Sequence, residues 1–491
     1  MKKGHQIAIC ISFILACFAA INCSKTPANA SPQPVPVTPV TPVTPLKSDV
    51  AMWLTNSDQS ALLQKQTTAL TFNNVTNANP TIIVDTTSTY QTIDGFGFCL
   101  TGGSASLINA LPAADQNALL RELFLSDSTH IGVSYIRISI GASDLSADDF
   151  TYDDVTSGTD VNLNNFSIDR EKTDLIPVLK KIVALSPTIK ILACPWTAPV
   201  WMKVGTIGNN GFTGGSLATV YYDAYARYFV KYIQAMKAQG ITIDAVTPQN
   251  EPLNPNNNPA MVMQANEEAN FIKNNLGPQF QASGLNTKII VYDHNTDRTD
   301  YPMAILADAV ASPFVDGSAF HLYAGNISAL AAVHNTYPTK NIYFTEQYTA
   351  STGGFGGDLD WHVTNLIIGA TKNWARNVLE WNLANDAGFG PHTNGGCNTC
   401  KGALTISSGN VSRNVSYYII AHASKFVRPG AVRIASSEVS SMPNVAFKNT
   451  DGSKVLIVTN STGNTQNFNL QFNGKIVTSV LNNGAVATYV W

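Results

Sequence analysis

Short apolar runs rich in β-branched residues recur along the middle of the chain, and each ends in polar or aromatic residues. Eight of these runs predict strands, at residues 92–98, 134–140, 190–195, 244–248, 288–292, 317–321, 341–345 and 377–381. Apolar residues at helical spacing lie between several of them, at 174–185, 220–239, 267–275 and 363–374. Repeated alternation of strand and helix predicts an α/β fold, a (β/α)8 TIM barrel over residues 86–412.

The pattern changes in residues 413–491, where short strand patterns follow one another with turns between them. Several of these turns are Asp-Gly or Asn-Gly pairs, at 451–452, 473–474 and 483–484. Such turns between short strands predict an antiparallel β-sandwich. Two more strand patterns, at 51–54 and 81–85, are too few to be stable alone. We therefore expect residues 50–85 to complete the same sandwich from the other end of the chain.

The first residues are typical of an export signal. Lys2 and Lys3 precede an apolar run that is too short for a stable membrane span, so residues 1–22 are predicted to be a secretory signal peptide. Cys23 follows directly and resembles the lipidated cysteine of bacterial lipoproteins, although Asn22 stands where a small residue is usual. Ordinary cleavage near this point is the alternative. Residues 23–49 are rich in Pro and Thr and predict an extended tether.

These features predict that the protein is exported from the cytoplasm. We expect it to be lipid-anchored at the bacterial outer membrane or cell surface, and otherwise periplasmic or secreted.

Charged residues make up only 13% of the chain, about half the usual ~25%. No Lys/Arg block is present, which argues against a nucleic-acid partner. A neutral polymer is a more natural partner, and we expect a monomer that contacts a membrane only through the lipid.

Four cysteines remain once the signal and Cys23 are set aside, and two of them form a CxxC pair, Cys397 and Cys400. A zinc site usually needs a second such pair, which the chain lacks. A redox motif would need a thioredoxin-like context. We therefore expect a local disulfide in an exported loop, and buried thiols at Cys99 and Cys194.

Two glutamates stand at the carboxyl ends of predicted strands, where barrels carry their catalytic groups. Glu251 follows the fourth strand and Glu346 the seventh. Either one alone would also fit a salt bridge at the barrel rim. Two carboxylates facing one pocket can instead divide the roles of acid and nucleophile. The sequence holds no HExxH motif or clustered ligand set, so we predict no metal and no cofactor.

Motifs at the strand ends resemble those of glycoside hydrolase family 30, whose members are relatives of glucosylceramidase. The motifs occur in the family's order over most of the chain. The matching stretches are 93–97 (IDGFG), 135–144 (YIRISIGASD), 195–203 (PWTAPVWMK), 248–252 (PQNEP), 293–295 (DHN), 321–325 (HLYAG), 345–346 (TE), 380–383 (EWNL) and 424–431 (SKFVRPGA).

The resemblance implies a retaining hydrolase of β-linked glycosides. By position, Glu251 would be the general acid/base and Glu346 the nucleophile. Asn250 would hydrogen-bond the sugar 2-OH, where a backbone cap is the alternative role. Tyr323 would keep Glu346 oriented and ionised through a hydrogen bond, or else would be an aromatic residue of the rim.

Four further residues are predicted to support or bind the sugar before the scissile bond. By analogy with the family, Asp144 and Trp196 would bind its hydroxyls, and an ionised Asp144 can accept from two of them. Trp196 and Trp381 offer flat faces for sugar C–H groups, or could belong to the core. His321 would support the site by hydrogen bonding, or would be structural. An N-cap is the alternative role for Asp144.

The sequence is compatible with several substrates. The stretch 388–401, with the CxxC pair, departs from the family pattern and points to polysaccharide rather than lipid glycosides. Our best single prediction is a β-1,6-glucan, cleaved by an endo-1,6-β-glucanase. A glucosylceramidase-like exo-β-glucosidase and a xylanase are the alternatives among enzymes. A surface glycan-binding lipoprotein is the non-enzyme alternative, but it would be expected to have lost one carboxylate.

Overall fold

A computed structural model describes residues 48–491 of the chain. The predicted signal peptide, Cys23 and nearly all of the predicted tether lie outside the described residues. Among the residues described, no helix is long and apolar enough to cross a membrane.

Eight parallel strands close into a barrel, which confirms the predicted TIM fold. In chain order they are Gly95–Cys99, Tyr135–Ser139, Lys190–Cys194, Ala245–Val246, Lys288–Asn295, Val315–His321, Asn341–Glu346 and Ala375–Asn382. The fourth strand is shorter than the predicted 244–248. Pro248 follows it and has no N–H with which to continue the ladder.

One layer of the barrel interior is filled by a buried side chain from each strand except the first. They are Tyr135, Leu192, Ala245, Ile290, Ala319, Tyr343 and Leu379. The first strand contributes Gly97, which lies between Leu379 and Tyr135 in the register of the barrel. A Cβ at Gly97 would lie 1.9 Å from the Tyr135 carbonyl oxygen, so only glycine allows this approach. The interior is therefore a packed core, as is usual in this fold.

Helices surround the barrel and connect its strands. The α-helices are Gly102–Asn109, Ala113–Phe124, Leu175–Leu185, Tyr222–Ala238, Ala265–Phe271, Gly277–Ala282, Asp300–Ala307, Ala329–Thr336, Phe355–His362 and Val415–Ser424. Two π-helical segments, Ile272–Leu276 and Val363–Ala370, occupy much of the predicted helices 267–275 and 363–374. Short 3-10 turns are Asp169–Lys172, Val200–Met202, Asn209–Gly211, Thr219–Tyr221 and Ser312–Phe314.

Both ends of the described chain contribute to a nine-stranded sheet beside the barrel. Its strands, in chain order, are Ala51–Thr55, Gln64–Lys65, Thr81–Thr92, Val432–Ser436, Asn444–Lys448, Lys454–Thr459, Gln466–Phe472, Lys475–Leu481 and Val486–Val490. Ala51–Thr55 pairs antiparallel with Val486–Val490. Thr81–Thr92 pairs with both Val432–Ser436 and Gln466–Phe472, and therefore continues past residue 85, where we placed the end of the N-terminal strands.

Shorter strands build the loops at the carboxyl end of the barrel. Lys203–Gly208 and Thr213–Leu217 form a hairpin after the third barrel strand. Thr349–Ala350 pairs with Cys400–Lys401, and Ala384–Asn385, Leu404–Ser407 and Asn410–Arg413 form a small three-stranded sheet. These loops form the rim around the candidate site.

Candidate active site

A cleft of about 520 Å³ opens at the carboxyl ends of the barrel strands. Both glutamates singled out in the sequence line it, together with two tryptophans, two tyrosines and four asparagines. The lining residues are Asp144, Trp196, Glu251, Leu253, Asn254, Pro255, Asn256, Asn257, His294, Asn295, Tyr323, Glu346, Tyr348, Trp381, Cys397 and Cys400.

Glu251 and Glu346 face each other across the cleft. A carboxylate oxygen from each lies within 4.8 Å of the other and of a ring nitrogen of His321. Retaining glycosidases hold their carboxyl groups ~5–5.5 Å apart, whereas inverting enzymes need ~6.5–9.5 Å to admit a water. The spacing of Glu251 and Glu346 therefore fits a retaining enzyme.

The backbone of Glu251 is left-handed, with φ 44°, and its N–H donates to the Asp293 carbonyl oxygen at 3.0 Å.

Arg137 connects the acidic groups from inside the barrel. It lies on the second strand, fully buried, and donates to Glu346 Oε2 at 2.6 Å, Asn250 Oδ1 at 2.6 Å and Asp293 Oδ2 at 2.8 Å. A guanidinium offers several donors in a fixed fork, which suits this arrangement. Arg137 thus sets the positions of one candidate catalytic carboxylate and of the predicted 2-OH ligand Asn250.

Asp293 is the buried counter-ion of this network. Besides Arg137, it accepts from the hydroxyls of Thr345 and Thr247 at 2.6 and 2.8 Å and contacts His321 Nε2 at 3.2 Å. Burial works against its ionised form, but the adjacent guanidinium and these hydrogen bonds hold the pKa of Asp293 well below its usual range. This lowered pKa favours the negatively charged form of Asp293 beneath the cleft.

His321 bridges the carboxylates. Its Nδ1 lies 3.2 Å from Glu251 Oε1 and 3.8 Å from Glu346 Oε1. Burial works against a charged imidazole, but Glu346, Asp293 and Glu251 outweigh it and raise the pKa of His321 to about 9. Burial likewise opposes ionisation of Glu251, yet His321 outweighs it, and the pKa of Glu251 falls to about 2. These opposite shifts favour the exchangeable proton on His321 rather than on Glu251.

Glu346 is held by two donors. Arg137 reaches its Oε2, and the Tyr323 hydroxyl donates to its Oε1 at 3.0 Å. Burial raises the pKa of Glu346, while the charges of His321 and Arg137 oppose that rise. The rise runs against the ionised form that a nucleophile needs. We take Glu346 as ionised near neutral pH, because both hydrogen bonds are made to the carboxylate form.

The cleft wall holds polar atoms that have no hydrogen-bond partner among the described residues. They are Asp144 Oδ1, Trp196 Nε1 and His294 Nδ1. Burial, with Glu346 as a nearby like charge, raises the pKa of Asp144 to about 7. Buried polar atoms without partners are costly unless a ligand pairs with them. A polyhydroxylated ligand would satisfy these atoms.

Two indole rings form an aromatic corner of the cleft. Trp196 and Trp381 have ring centroids 5.4 Å apart with planes tilted by 33°. The Arg137 guanidinium lies 4.7 Å from the Trp196 ring centroid on their inner side. Both rings are nearly buried, yet both border the cleft, so they serve the core and the site together.

The structure brings all the predicted site residues together at this one end of the barrel. They are Glu251, Glu346, Asp144, Trp196, Asn250, His321, Tyr323 and Trp381. Their individual roles stay predictions.

Sequence reasoning missed Arg137 and Asp293 as site residues, although both lie inside quoted motifs. Each interrupts an apolar strand with a charge, at Tyr135-Ile-Arg-Ile-Ser139 and Ile290-Val-Tyr-Asp293. Two opposite charges inside apolar strands of one barrel were the sequence signal that could have identified these two residues. Asn254 was also missed; its amide donates to Glu251 Oε2 at 2.8 Å.

A TIM barrel with two close carboxylates, aromatic rings and unpaired polar atoms in one cleft defines the class of barrel glycosidases that act through a carboxylate pair. Comparison with known families agrees. The chain belongs to glycosyl hydrolase family 30: the model of the family's TIM-barrel domain matches residues 93–427, and that of its beta sandwich domain matches residues 430–489.

Individual relatives are similar over most of their length. An endo-1,6-beta-D-glucanase of Trichoderma harzianum is 38% identical over 404 residues, covering 78% of this chain and 80% of that protein. A putative glucosylceramidase of Caenorhabditis elegans is 30% identical over 405 residues, which cover 78% of this chain and 77% of that protein. A solved endo-beta1,6-glucanase structure superposes with a TM-score of 0.84 at 38% identity, covering 91% of this chain and 99% of that one.

Proposed function

We propose that the protein hydrolyses β-1,6-glucan by a retaining double displacement. The observation that carries the reaction type is the carboxylate pair, with oxygens within 4.8 Å of each other at the floor of an open cleft. In the first step Glu346 attacks the anomeric carbon, while a protonated Glu251 gives its proton to the departing glycosidic oxygen. In the second step Glu251 takes a proton from water, which displaces Glu346 and restores the β-configuration.

The proton for the first step comes from His321. The lowered pKa of Glu251 favours its ionised form, and His321 Nδ1 lies 3.2 Å from Glu251 Oε1. A sugar filling the cleft removes water from Glu251, which favours its neutral form. The proton then passes from His321 to Glu251 as the substrate binds. Arg137 and Tyr323 keep Glu346 in place for attack.

The substrate is supported by the relatives and by the chemistry of the cleft. Two relatives described as endo-1,6-β-glucanases share 38% identity with this chain, against 30% for a putative glucosylceramidase. The unpaired atoms of Asp144 and Trp196 suit sugar hydroxyls. Product analysis on β-1,6-, β-1,3- and β-1,4-glucans and xylan is expected to show cleavage of the β-1,6-glucan into oligosaccharides. Release of glucose alone, or cleavage of xylan instead, would contradict this substrate.

The two carboxylates can be separated by mutation. Every turnover needs the nucleophile, so Glu346→Ala is expected to lose essentially all activity on any substrate. An acid matters most when the leaving group is poor. Glu251→Ala is therefore expected to retain glycosylation by an activated aryl glucoside, while cleavage of polysaccharide falls ~10²–10⁴-fold. The difference is measured by kcat/KM on both substrates, which reports the glycosylation step, with wild-type enzyme alongside.

Azide rescue assigns the roles by stereochemistry. In Glu251→Ala the sugar remains on Glu346 and the vacated acid site admits azide, so the glucosyl azide is expected to be β. In Glu346→Ala azide enters from the opposite face and gives the α-product. Proton NMR of the products distinguishes the anomers. The reverse pattern would exchange the two roles, and undiminished activity in both variants would place the chemistry elsewhere.

We also propose that the protein is an exported monomer whose lipid anchor at Cys23 is its contact with the membrane. The support is the apolar run just before Cys23 and the Pro/Thr-rich stretch that follows Cys23 in the sequence. Cys23→Ala is expected to release active enzyme from the membrane fraction with unchanged kinetics. Membrane association that persists in this variant would reject the anchor, and light scattering of the released enzyme tests the monomer.

A further inference from the structure

The CxxC pair plays no part in the double displacement, yet it lies in the cleft wall. Cys397 and Cys400 form a disulfide, and both residues border the cleft. Cys400 is almost fully buried, in a cluster with Trp196 and Trp381. The disulfide therefore lies against the aromatic corner of the sugar site rather than on a remote surface loop.

One end of the disulfide loop contacts Asp144. The Cys397 N–H points at Asp144 Oδ2, at 3.4 Å, while Asp144 Oδ1 has no partner among the described residues. Just before it, the Thr393 N–H donates to the Asp144 carbonyl oxygen at 2.9 Å. A Cβ at Gly396 would lie 2.2 Å from that same oxygen, which shows how closely the loop packs there. The orientation of the Asp144 carboxylate thus depends on where Cys397 lies.

The other end of the loop is anchored beyond the nucleophile. Cys400 pairs with Ala350 in a short antiparallel ladder, and the Ser351 N–H donates to the Thr399 carbonyl oxygen at 2.8 Å. Its first strand, Thr349–Ala350, follows Glu346 closely along the chain. The disulfide joins Cys400, which this ladder anchors, to Cys397. The position of Cys400 therefore limits where Cys397 and its N–H can lie.

We propose that the Cys397–Cys400 disulfide is a positioning element for sugar binding: it holds the Cys397 N–H against Asp144 and fixes that carboxylate in the orientation that accepts sugar hydroxyls. This inference rests on the proposed role of Asp144 in binding the sugar. Neither Cys397 nor Cys400 is a hydrogen-bond partner of Glu251 or Glu346, whose partners are Arg137, Tyr323, Asn254 and His321. Loss of the disulfide is therefore expected to weaken binding much more than chemistry.

A double-mutant cycle on an aryl β-glucoside tests the inference. Cys397→Ser/Cys400→Ser is expected to raise KM roughly tenfold, the worth of about one hydrogen bond to a charged group, with kcat within about twofold. Asp144→Asn is expected to raise KM by at least as much. Once Asp144 no longer binds as a carboxylate, removing the disulfide as well is expected to change KM little. Losses that multiply, or an unchanged KM in the serine variant, would overturn the inference.

Reduction of the wild-type enzyme covers the case in which the serine variant fails to fold. A water-soluble phosphine supplies two electrons: the S–S bond breaks, each sulfur becomes a thiol with protons from water, and the phosphine becomes its oxide. KM is expected to rise to the value of the serine variant and to return on reoxidation. The serine variant is the matched control, and its KM is expected to stay the same after treatment with the phosphine. A wild-type KM that reduction does not move would overturn the inference.

The outcomes also separate this inference from the proposed function. The cycle uses an aryl glucoside, so it can be read even if the enzyme does not cleave β-1,6-glucan. If Asp144→Asn leaves KM unchanged while hydrolysis continues, the positioning role fails and the carboxylate-pair mechanism stands. A fall in melting temperature at constant KM would make the disulfide a stabilising element only and would likewise overturn the positioning role.

Discussion

Arg137 shows how single residues define this site. Its strand alternates, with Ile136 and Ile138 facing the apolar layer beneath the helices and Arg137 facing the barrel interior. There the guanidinium meets Asp293 and Glu346, both almost fully buried. Whether the shared proton lies on His321 or on Glu251, the network of Arg137, His321 and the three carboxylates carries one net negative charge. Such a charge favours the positive character that develops on the sugar in the transition state.

Removing the Arg137 charge is therefore expected to be costly. Arg137→Met leaves Asp293 and Glu346 buried without their cation, and we expect the free energy of unfolding to fall by about 3–5 kcal/mol. Urea denaturation measures the change. The matched control is Arg298→Met, because Arg298 pairs with Asp300 on the exposed surface, where a pair contributes about 0–1 kcal/mol. Equal losses in the two variants would contradict the role assigned to the buried network.

At the scale of elements, close contact between strands decides where glycine is required. The barrel interior places Tyr135 beside the first strand, and Gly97 leaves room for its backbone. The helix Phe355–His362 also contains a glycine, Gly357, but nothing lies within 4 Å of the position of its Cβ. The same residue type is thus essential for packing in one element and dispensable in another.

Alanine at the two glycines is expected to act in opposite directions. Gly97→Ala forces a methyl group against the Tyr135 backbone, and overpacking of this kind costs about 1–3 kcal/mol. Gly357→Ala is exposed and helical, where alanine is better than glycine by about 0.5–1 kcal/mol. Thermal unfolding of both variants gives the comparison. A Gly97→Ala protein as stable as wild type would mean that the strands can separate at no cost.

A buried histidine connects the barrel to the nine-stranded sheet. His422, on the helix Val415–Ser424, is fully buried between Thr55 and Thr488, with ring nitrogens 2.8 and 2.9 Å from their hydroxyls. Those threonines lie on the paired strands from the two ends of the described chain. One side chain therefore joins the barrel to both of these strands. Burial lowers the pKa of His422 to about 3, so it is neutral in the folded protein.

This histidine gives the protein an acid-sensitive contact. In the unfolded chain its pKa is about 6.5, so the unfolded state binds a proton that the folded state does not. Above about pH 6.5, the neutral His422 makes its full contribution to the free energy of unfolding. That contribution falls by roughly 1.4 kcal/mol per pH unit as the pH drops toward 3. Denaturant unfolding from pH 7.5 to 4 is expected to show wild type losing stability faster than His422→Gln. Parallel curves would show that His422 titrates normally.

The sequence by itself determined the order of the elements and the positions of the chemical groups. Alternation of apolar strands and amphipathic helices depends on neighbours along the chain, so the barrel could be predicted from local pattern. The Asn-Gly and Asp-Gly turns indicated the sandwich in the same way. Glu251 and Glu346 were found because each directly follows a strand, and strand ends meet at one face of a barrel.

Tertiary structure decided how those groups act on one another. The contacts of Arg137 with Asp293, and of His321 with both glutamates, join strands separated by long stretches of chain, and no local pattern encodes such distances. The meeting of Cys397 with Asp144 likewise spans most of the barrel sequence. The pairing of Thr81–Thr92 with strands from the far end of the chain set its length. Local periodicity fixes which face of an element is buried, whereas burial beside a particular charge, which sets the pKa values of this site, exists only once distant elements have packed together.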